Sequence, residues 1–442
     1  MNAPRHHAVI GGGWAGCAAA VALATAGHRV SLFESSRTLG GRARRVEIDG
    51  RALDNGQHIL LGAYRATLKL MKQIGVRPEQ AMLRLPLQMR YPLETGAEGM
   101  DFVAPRLPAP LHVAIALLRA KGLSREDKMA LVRFSTTARW MGWQLHQDCS
   151  VTELLERYEQ TPRLVRLMWH PLCIAALNTP PERASAQVFL TVLRDSLGAR
   201  RAASDMLIPR IDLSALLPEA AAAFIAKRGG LVHAGVAVGR LAPGSDGGTW
   251  RLENRQGESL GEFAGVTVAT GPDAAAQLLE GVADTAALRA LQHEPISTCY
   301  LQYAAPVRLP HPFYALADDP ERRAWGQFVF DRGQLGGDNG LLAVVVSAAG
   351  QAIADGHAAL EHGIAAQLAA DFGRPELVNP QWSKVVTEKR ATFSCTPGLE
   401  RPANAGLPEG LALAGDYVAG DYPATLEGAV RSGLAAARAL AD

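Results

Sequence analysis

Gly11-Gly12-Gly13-Trp14-Ala15-Gly16 fits the spacing G-x-G-x-x-G, and a pyrophosphate is the ligand such a loop suits. Gly11 permits the tight turn, Gly13 lets the backbone approach the phosphates, and Gly16 allows close packing of helix on strand. Free N–H groups and the dipole at a helix start attract the negative charge. Glu34 lies about twenty residues on, where a carboxylate meets a pair of ribose hydroxyls. Its charge would repel a 2′-phosphate. Glycine-rich turns are common, so the motif alone is weak evidence. The register around it is stronger: an apolar strand at 7–10, an alanine-rich helix to about Ala26, a stop at Gly27, a second strand from Arg29, and then the acid.

Two further segments narrow the ligand. Leu39-Gly40-Gly41-Arg42 follows the acid-bearing strand, and 54–62 read DNGQHILLG. Gly41 and Arg42 supply backbone N–H groups and a guanidinium for a second approach to the pyrophosphate. Arg44 and Arg45 read as a solvated basic turn. Near the other end, LALAGDYVAGDYPATLEGAVRSG (411–433) runs as an apolar strand, a Gly415-Asp416 pair, a short loop and a small-residue helix. Ligands of open α/β sheets bind at the carboxyl ends of strands, where Gly415 and Asp416 would stand. These segments resemble the FAD-dependent amine oxidase and phytoene desaturase superfamily. The resemblance implies FAD as cofactor and a segment carrying Gln57 and His58 beside the isoalloxazine ring. It further implies backbone contact of Val236 with adenine, Asp416 near the ribityl or pyrophosphate region, and the helix start at Leu426 facing the flavin.

Residues 169–186, WHPLCIAALNTPPERASA, and 388–397, EKRATFSCTP, are more distinctive. With DNGQHILLGAYR they resemble the hydroxysqualene dehydroxylase family of bacterial squalene and hopanoid biosynthesis, a likeness spread over most of the chain. That resemblance implies reductive removal of the hydroxyl from hydroxysqualene, with reduced FAD as hydride donor to an allylic carbon. A hydroxyl leaving an allylic carbon needs a polar partner within an otherwise apolar, water-excluding site. His58 is the first candidate for that task, although a purely structural hydrogen bond accounts for it equally well. Tyr422, Asp421 and His170 follow. A carotenoid or phytoene-type desaturase uses the same scaffold oxidatively and stands as the alternative. A prenyl-binding escort protein without redox chemistry is a second alternative, against which the full set of cofactor segments speaks.

Positioning such a site takes several elements. A chain of 442 residues exceeds one ordinary core, and 48% hydrophobic with 20% charged residues describes a globular protein. The motifs predict an α/β fold: a discontinuous Rossmann-like FAD-binding domain (1–65, 205–280 and 381–442) with an α+β substrate domain (66–204 and 281–380). Strands are expected at 231–233, 236–238, 266–270 and 411–414, and a helix over 214–228. The net charge of +2 argues against nucleic acid as a partner. Five scattered cysteines without C-x-x-C spacing suit a reducing, cytoplasmic setting and offer no metal site. No apolar run reaches the length of a membrane span. Residues 8–26 could pass for a signal peptide, but their glycines have the better role already given. Between 105 and 145, short apolar stretches alternate with Arg, Lys and Trp, a pattern for helices lying on a bilayer. The chain is thus expected to act on a hydroxysqualene-like isoprenoid, peripherally at the inner membrane, in possible contact with upstream squalene-pathway enzymes.

Overall fold

The computed structural model describes residues 4–93, 99–197, 200–245 and 247–441. Its first layer is a five-stranded parallel sheet in the order Leu231–Ala234, Arg29–Glu34, His6–Ile10, Gly265–Val268, Leu411–Leu413. The three inner strands are buried on both faces nearly throughout, which parallel strands covered by helices require. The helix Trp14–Thr25 covers one face, and the last helix, Leu426–Ala441, packs along it. Small residues set that distance: a Cβ on Gly433 would stand 2.1 Å from the Ala15 carbonyl oxygen. The two ends of the chain therefore lie together, as an α/β cofactor domain made of separate segments requires.

A second layer is an antiparallel sheet ordered Phe313–Ala315, Phe328–Asp331, Leu341–Ser347, His293–Gln302, Trp382–Phe393. Its side chains alternate between two environments. Cys299, Leu301, Val329, Val344 and Val346 pack with the helix His357–Phe372. Tyr300, Phe313, Phe328, Phe330, Ala343 and Val345 face the other way, into the core shared with the helices Arg125–Trp140 and Ala186–Leu197. Helices dominate 65–197, with short strands at Met82–Leu85, Gln88–Arg90 and Asp101–Val103.

Four expectations need correction. The strand Trp382–Phe393, placed by sequence in the cofactor domain, pairs along its length with His293–Gln302. Its alternating pattern fits either sheet, and only the long-range partner decides. Val236 and Ala237 are in no strand; the chain turns at Gly235 and enters a separate antiparallel meander of Val238–Pro243, Trp250–Asn254 and Ser259–Phe263, which the sequence reading missed. The helix over 214–228 is two helices, Leu213–Leu216 and Pro218–Lys227. Pro218 lacks the N–H that would continue the first, and Leu217 leaves the helical region at φ −145°. The strand Met206–Pro209 lies between Leu60–Leu61 and Met82–Leu85, so residues assigned to different domains share a small sheet.

A candidate flavin site built from both ends of the chain

The cofactor candidates gather at the carboxyl ends of the parallel strands. Gly11 takes φ +107°, and a Cβ there would lie 2.5 Å from the Ala269 oxygen; on Gly16 it would lie 1.9 Å from the Gly11 oxygen. Neither position admits a side chain. Gly13 caps the helix Trp14–Thr25 without any side-chain hydrogen bond, so the N–H groups of the first turn are left for a ligand. Beyond Gly13 there is open space: a Cβ would find nothing nearer than the Gly41 Cα at 3.9 Å. Gly40 N–H donates to the Gly12 oxygen at 2.9 Å and holds the second glycine turn against the first. Two backbone turns without side chains thus flank one gap, next to uncapped helix N–H groups. That donor set fits a pyrophosphate.

Glu34 is buried, and its carboxylate accepts from Gly12 N–H at 2.7 Å and Ser36 N–H at 2.8 Å. The Ser35 hydroxyl also donates to Oε1, at 3.3 Å, so Oε2 keeps a lone pair for a ribose hydroxyl. Val236 donates its N–H to the Glu34 carbonyl at 2.9 Å, so only its carbonyl remains for an adenine amino group. Arg42 and Asp416, 374 residues apart, form an ion pair at 2.5 Å, and the same guanidinium donates to the Ala391 carbonyl at 2.7 Å. Sequence reasoning placed both residues at the cofactor; their mutual pairing was not foreseen. Gly415 donates its N–H to Ser432 Oγ at 2.9 Å, tying the strand-end turn to the last helix. Leu426 opens that helix and packs half-buried beside the parallel sheet. Its neighbour Glu427 is fully buried, accepting from the N–H groups of Ala66 and Thr67 and from the Thr67 hydroxyl.

The segment 54–58 is held from the antiparallel sheet. Tyr300 OH donates to the Asp54 carbonyl at 2.7 Å and accepts from Gln57 Nε2 at 2.8 Å, while Arg332 donates to Gln57 Oε1 at 3.1 Å. These bonds use one N–H and one lone pair of the Gln57 amide and fix its orientation, leaving the second of each for a ligand. Tyr300 and Arg332 were missed, and no local motif marks either. His58 Nδ1 lies 3.1 Å from the Gly56 carbonyl, which can only accept, so Nδ1 carries the proton of the neutral ring. Nε2 is then a lone pair. Burial pushes the His58 pKa down, the bond to Gly56 opposes this, and the Arg42 charge lowers it further.

The remaining catalytic candidates stand elsewhere. Tyr422 donates its hydroxyl to Asp195 at 2.8 Å, with the Arg431 guanidinium over its ring. Burial, the Asp195 bond and the Asp195 charge push its pKa up to about 12, with Arg431 opposing. Its proton is committed to a carboxylate. The Asp421 side chain is 70% exposed and pairs with Arg431 at 3.7 Å. The Tyr422 ring also packs edge-on against Tyr64, centroids 6.1 Å apart, just past the segment that carries His58. His170 opens the helix His170–Leu177 after a π-helical turn, Val165–Trp169. Pro171 has no N–H for the Leu167 carbonyl, and the Tyr91 hydroxyl takes it at 2.9 Å. Burial lowers the His170 pKa against the charges of Glu182 and Asp318. Asp318 follows the strand end Ala315, which is separated from Thr298 by the strands of Phe328 and Val345.

Residues 14–441 match the family of flavin containing amine oxidoreductases. The chain is 32% identical to hydroxysqualene dehydroxylase of Rhodopseudomonas palustris, over 97% of this chain and 96% of that one. It is 26% identical to hydroxysqualene dehydroxylase of Sinorhizobium fredii, over 98% of both. Identity to the 15-cis-phytoene desaturase of Glycine max is 24%, over 99% of this chain and 79% of that protein. Cyclohexylamine oxidase from Brevibacterium oxydans has the same fold, with a TM-score of 0.70 over 99% of both chains at 18% identity. FAD is the cofactor that the glycine cradle, the strand-end acids and this kinship share, and the chain is an FAD-dependent oxidoreductase. It belongs to the flavin containing amine oxidoreductases and, among them, to the hydroxysqualene dehydroxylase family.

Proposed function

We propose that this protein removes the hydroxyl of hydroxysqualene to give squalene. The observation that carries the proposal is the makeup of the wall facing segment 54–58. Thr298 Oγ would lie 3.8 Å from a Cβ on Gly56, so this face of the antiparallel sheet stands directly against that segment. Along the wall follow Val345, Phe328, Phe330, Ala343 and Phe313, all apolar. The Tyr300 hydroxyl is already bonded twice. His58 Nε2 is a lone pair this segment offers, and the Thr298 hydroxyl facing Gly56 is a buried polar group without a partner among the described residues; both suit a single hydroxyl on a hydrocarbon chain.

Gly11, Gly13, Gly16, Glu34, Gly41, Arg42 and Asp416 would hold FAD, which in its reduced form would supply a hydride to the carbon that loses the hydroxyl. The protein's own work is threefold. The apolar wall keeps water from an allylic cation. His58 Nε2 accepts a hydrogen bond from the substrate hydroxyl and fixes which carbon faces the cofactor. The network of Tyr300, Gln57 and Arg332 holds the segment that carries His58. The hydroxyl would leave as water, and the proton it takes up together with the hydride gained by carbon are the two hydrogens that fully reduced FAD would give up on returning to its oxidised form.

A substrate of this kind has negligible solubility in water, so the enzyme takes it from a bilayer, at the surface where an upstream enzyme releases it. The test is anaerobic incubation of photoreduced enzyme with hydroxysqualene in detergent. Squalene is the expected product, and oxidised enzyme should leave squalene and phytoene unchanged. Desaturated product from phytoene, without squalene from hydroxysqualene, would replace this reading with the oxidative one.

A further inference from the structure

Large apolar side chains rarely stand free on a folded surface in one group. Among the described residues, seven are exposed: Leu111 (53%), Leu118 (73%), Met129 (52%), Val132 (44%), Trp140 (87%), Ile211 (38%) and Leu231 (51%). The first five fall within thirty residues, on the helices Leu111–Arg119 and Arg125–Trp140. Met129, Val132 and Trp140 follow one another at three and eight residues, which keeps them on one stripe of the longer helix. The opposite stripe, with Ala130, Leu131, Phe134 and Ala138, is in the core. Lys128 Nζ donates to the Leu118 carbonyl at 2.9 Å, so the end of the first helix adjoins the turn that bears Met129. The five side chains form one patch on two adjoining helices.

The charge around the patch is as uneven as its hydrophobicity. Residues 105–145 contain seven Lys and Arg (Arg106, Arg119, Lys121, Arg125, Lys128, Arg133 and Arg139) against Glu126 and Asp127, a net +5. The whole chain carries +2, so the remainder is at −3. Asp127 is buried and spends its carboxylate on Ser124 and Thr161, which makes the exposed balance more basic still. A protein partner of ordinary composition does not require this pairing of unpaired apolar tips with a basic surround. A leaflet of anionic lipid does: apolar tips enter the acyl boundary, Trp140 sits at headgroup level, and cations meet phosphate.

We propose that the face formed by Leu111, Leu118, Met129, Val132 and Trp140 docks on an anionic bilayer surface. Its purpose, collection of a water-insoluble isoprenoid, rests on the proposed function; the docking itself stands on exposure and charge alone. Leu117 takes no part, because it is 5% exposed and belongs to the core. The sequence pattern treated Leu117 and Leu118 alike, yet one step along a helix turns a side chain by about 100°.

Flotation of FAD-loaded protein with vesicles tests the face. Wild type should float with vesicles containing one-third phosphatidylglycerol and only weakly with phosphatidylcholine alone. Replacing Leu118, Met129, Val132 and Trp140 together by Ser should abolish flotation while flavin absorbance and the melting temperature stay near wild type. Leu231→Ser, an exposed leucine outside the face, should change nothing. Arg119→Glu with Arg125→Glu and Arg139→Glu should cut partitioning onto anionic vesicles at least ~100-fold, at about 1 kcal/mol for each basic residue. Wild type that stays unbound at every lipid composition overturns the proposal. So does a wild-type dimer in sedimentation that the Ser variant converts to monomer without vesicles, which would make the face a contact between copies. Dehydroxylation of detergent-dispersed substrate, measured separately, reports on the proposed reaction and is expected to survive in the Ser variant.

Discussion

Asp54→Asn should stabilise this protein above pH 6 and leave it unchanged near pH 4. Asp54 closes the strand Arg51–Asp54, is 6% exposed, and begins the segment that carries His58. Its Oδ1 accepts the Leu213 N–H at 2.8 Å, a bond an asparagine carbonyl keeps. Burial is the main cause that raises its pKa from 3.8 to about 6; the Leu213 bond and Arg332 oppose the rise, and Asp212 adds to it. Below about pH 4 both folded and unfolded chains hold the proton. Between 4 and 6 the unfolded chain ionises while the folded one keeps its proton, so stability falls as pH rises. A shift of about two units corresponds to about 3 kcal/mol, all lost above pH 6. Asparagine does not ionise, so the variant escapes the loss. Urea unfolding followed by tryptophan fluorescence at pH 4.5, 6 and 8, with and without FAD, measures the difference. A gap between variant and wild type that is flat with pH, or widens toward acid, would refute the assignment of Asp54 as a buried, proton-retaining carboxyl.

Other outcomes follow from the same geometry. Glu34→Ala removes the acceptor for two backbone N–H groups and the ribose partner, and the purified protein should be largely colourless, as read from its visible spectrum. Tyr422→Phe should lower stability by about 1 kcal/mol through the lost bond to Asp195 and keep turnover within about threefold; a hundredfold loss would restore Tyr422 as a catalytic residue. His58→Leu should reduce kcat/KM for hydroxysqualene by about 100-fold with flavin content intact. In wild type, activity should hold above pH 6.5 and fall only below it, where the depressed His58 pKa at last admits a proton on Nε2. The His58→Leu enzyme should lack that acid limb.

The cofactor half of the site was legible because backbone geometry there dictates residue type. Gly11 and Gly16 have no room for a Cβ, so the glycines had to appear in the sequence at fixed spacing. The substrate half obeys no such rule. Gln57 meets Tyr300 across 243 residues and Arg332 across 275, and each pairing is fixed by the approach of two sheets. Tyr422 and Asp421 were read from their place in a loop near the cofactor, but a side chain in a loop points where its partners are. Asp195 lies on a helix 227 residues away and draws the Tyr422 hydroxyl toward it. The same limit hid the register of Trp382–Phe393, whose pattern matches a strand without saying which sheet it joins.

Arg42 shows why the two halves form one apparatus. Its guanidinium donates from one nitrogen to the Ala391 carbonyl, in a strand of the antiparallel sheet, and from another to Asp416, at the end of the last parallel strand. Asn55 reaches back to the Arg42 carbonyl at 3.1 Å, which adds the segment leading to His58. Three parts of the site therefore meet at one residue: the glycine turn, the edge strand of the antiparallel sheet and the strand-end acid. A planar fork serves the two acceptors from separate nitrogens held in fixed directions, whereas the three donors of a lysine all sit on one nitrogen. The positive charge also has a second effect, since it adds to burial in keeping His58 neutral. The residue that ties the antiparallel sheet to the cofactor loop thereby helps set His58 as an acceptor, the state in which it can hold a substrate hydroxyl.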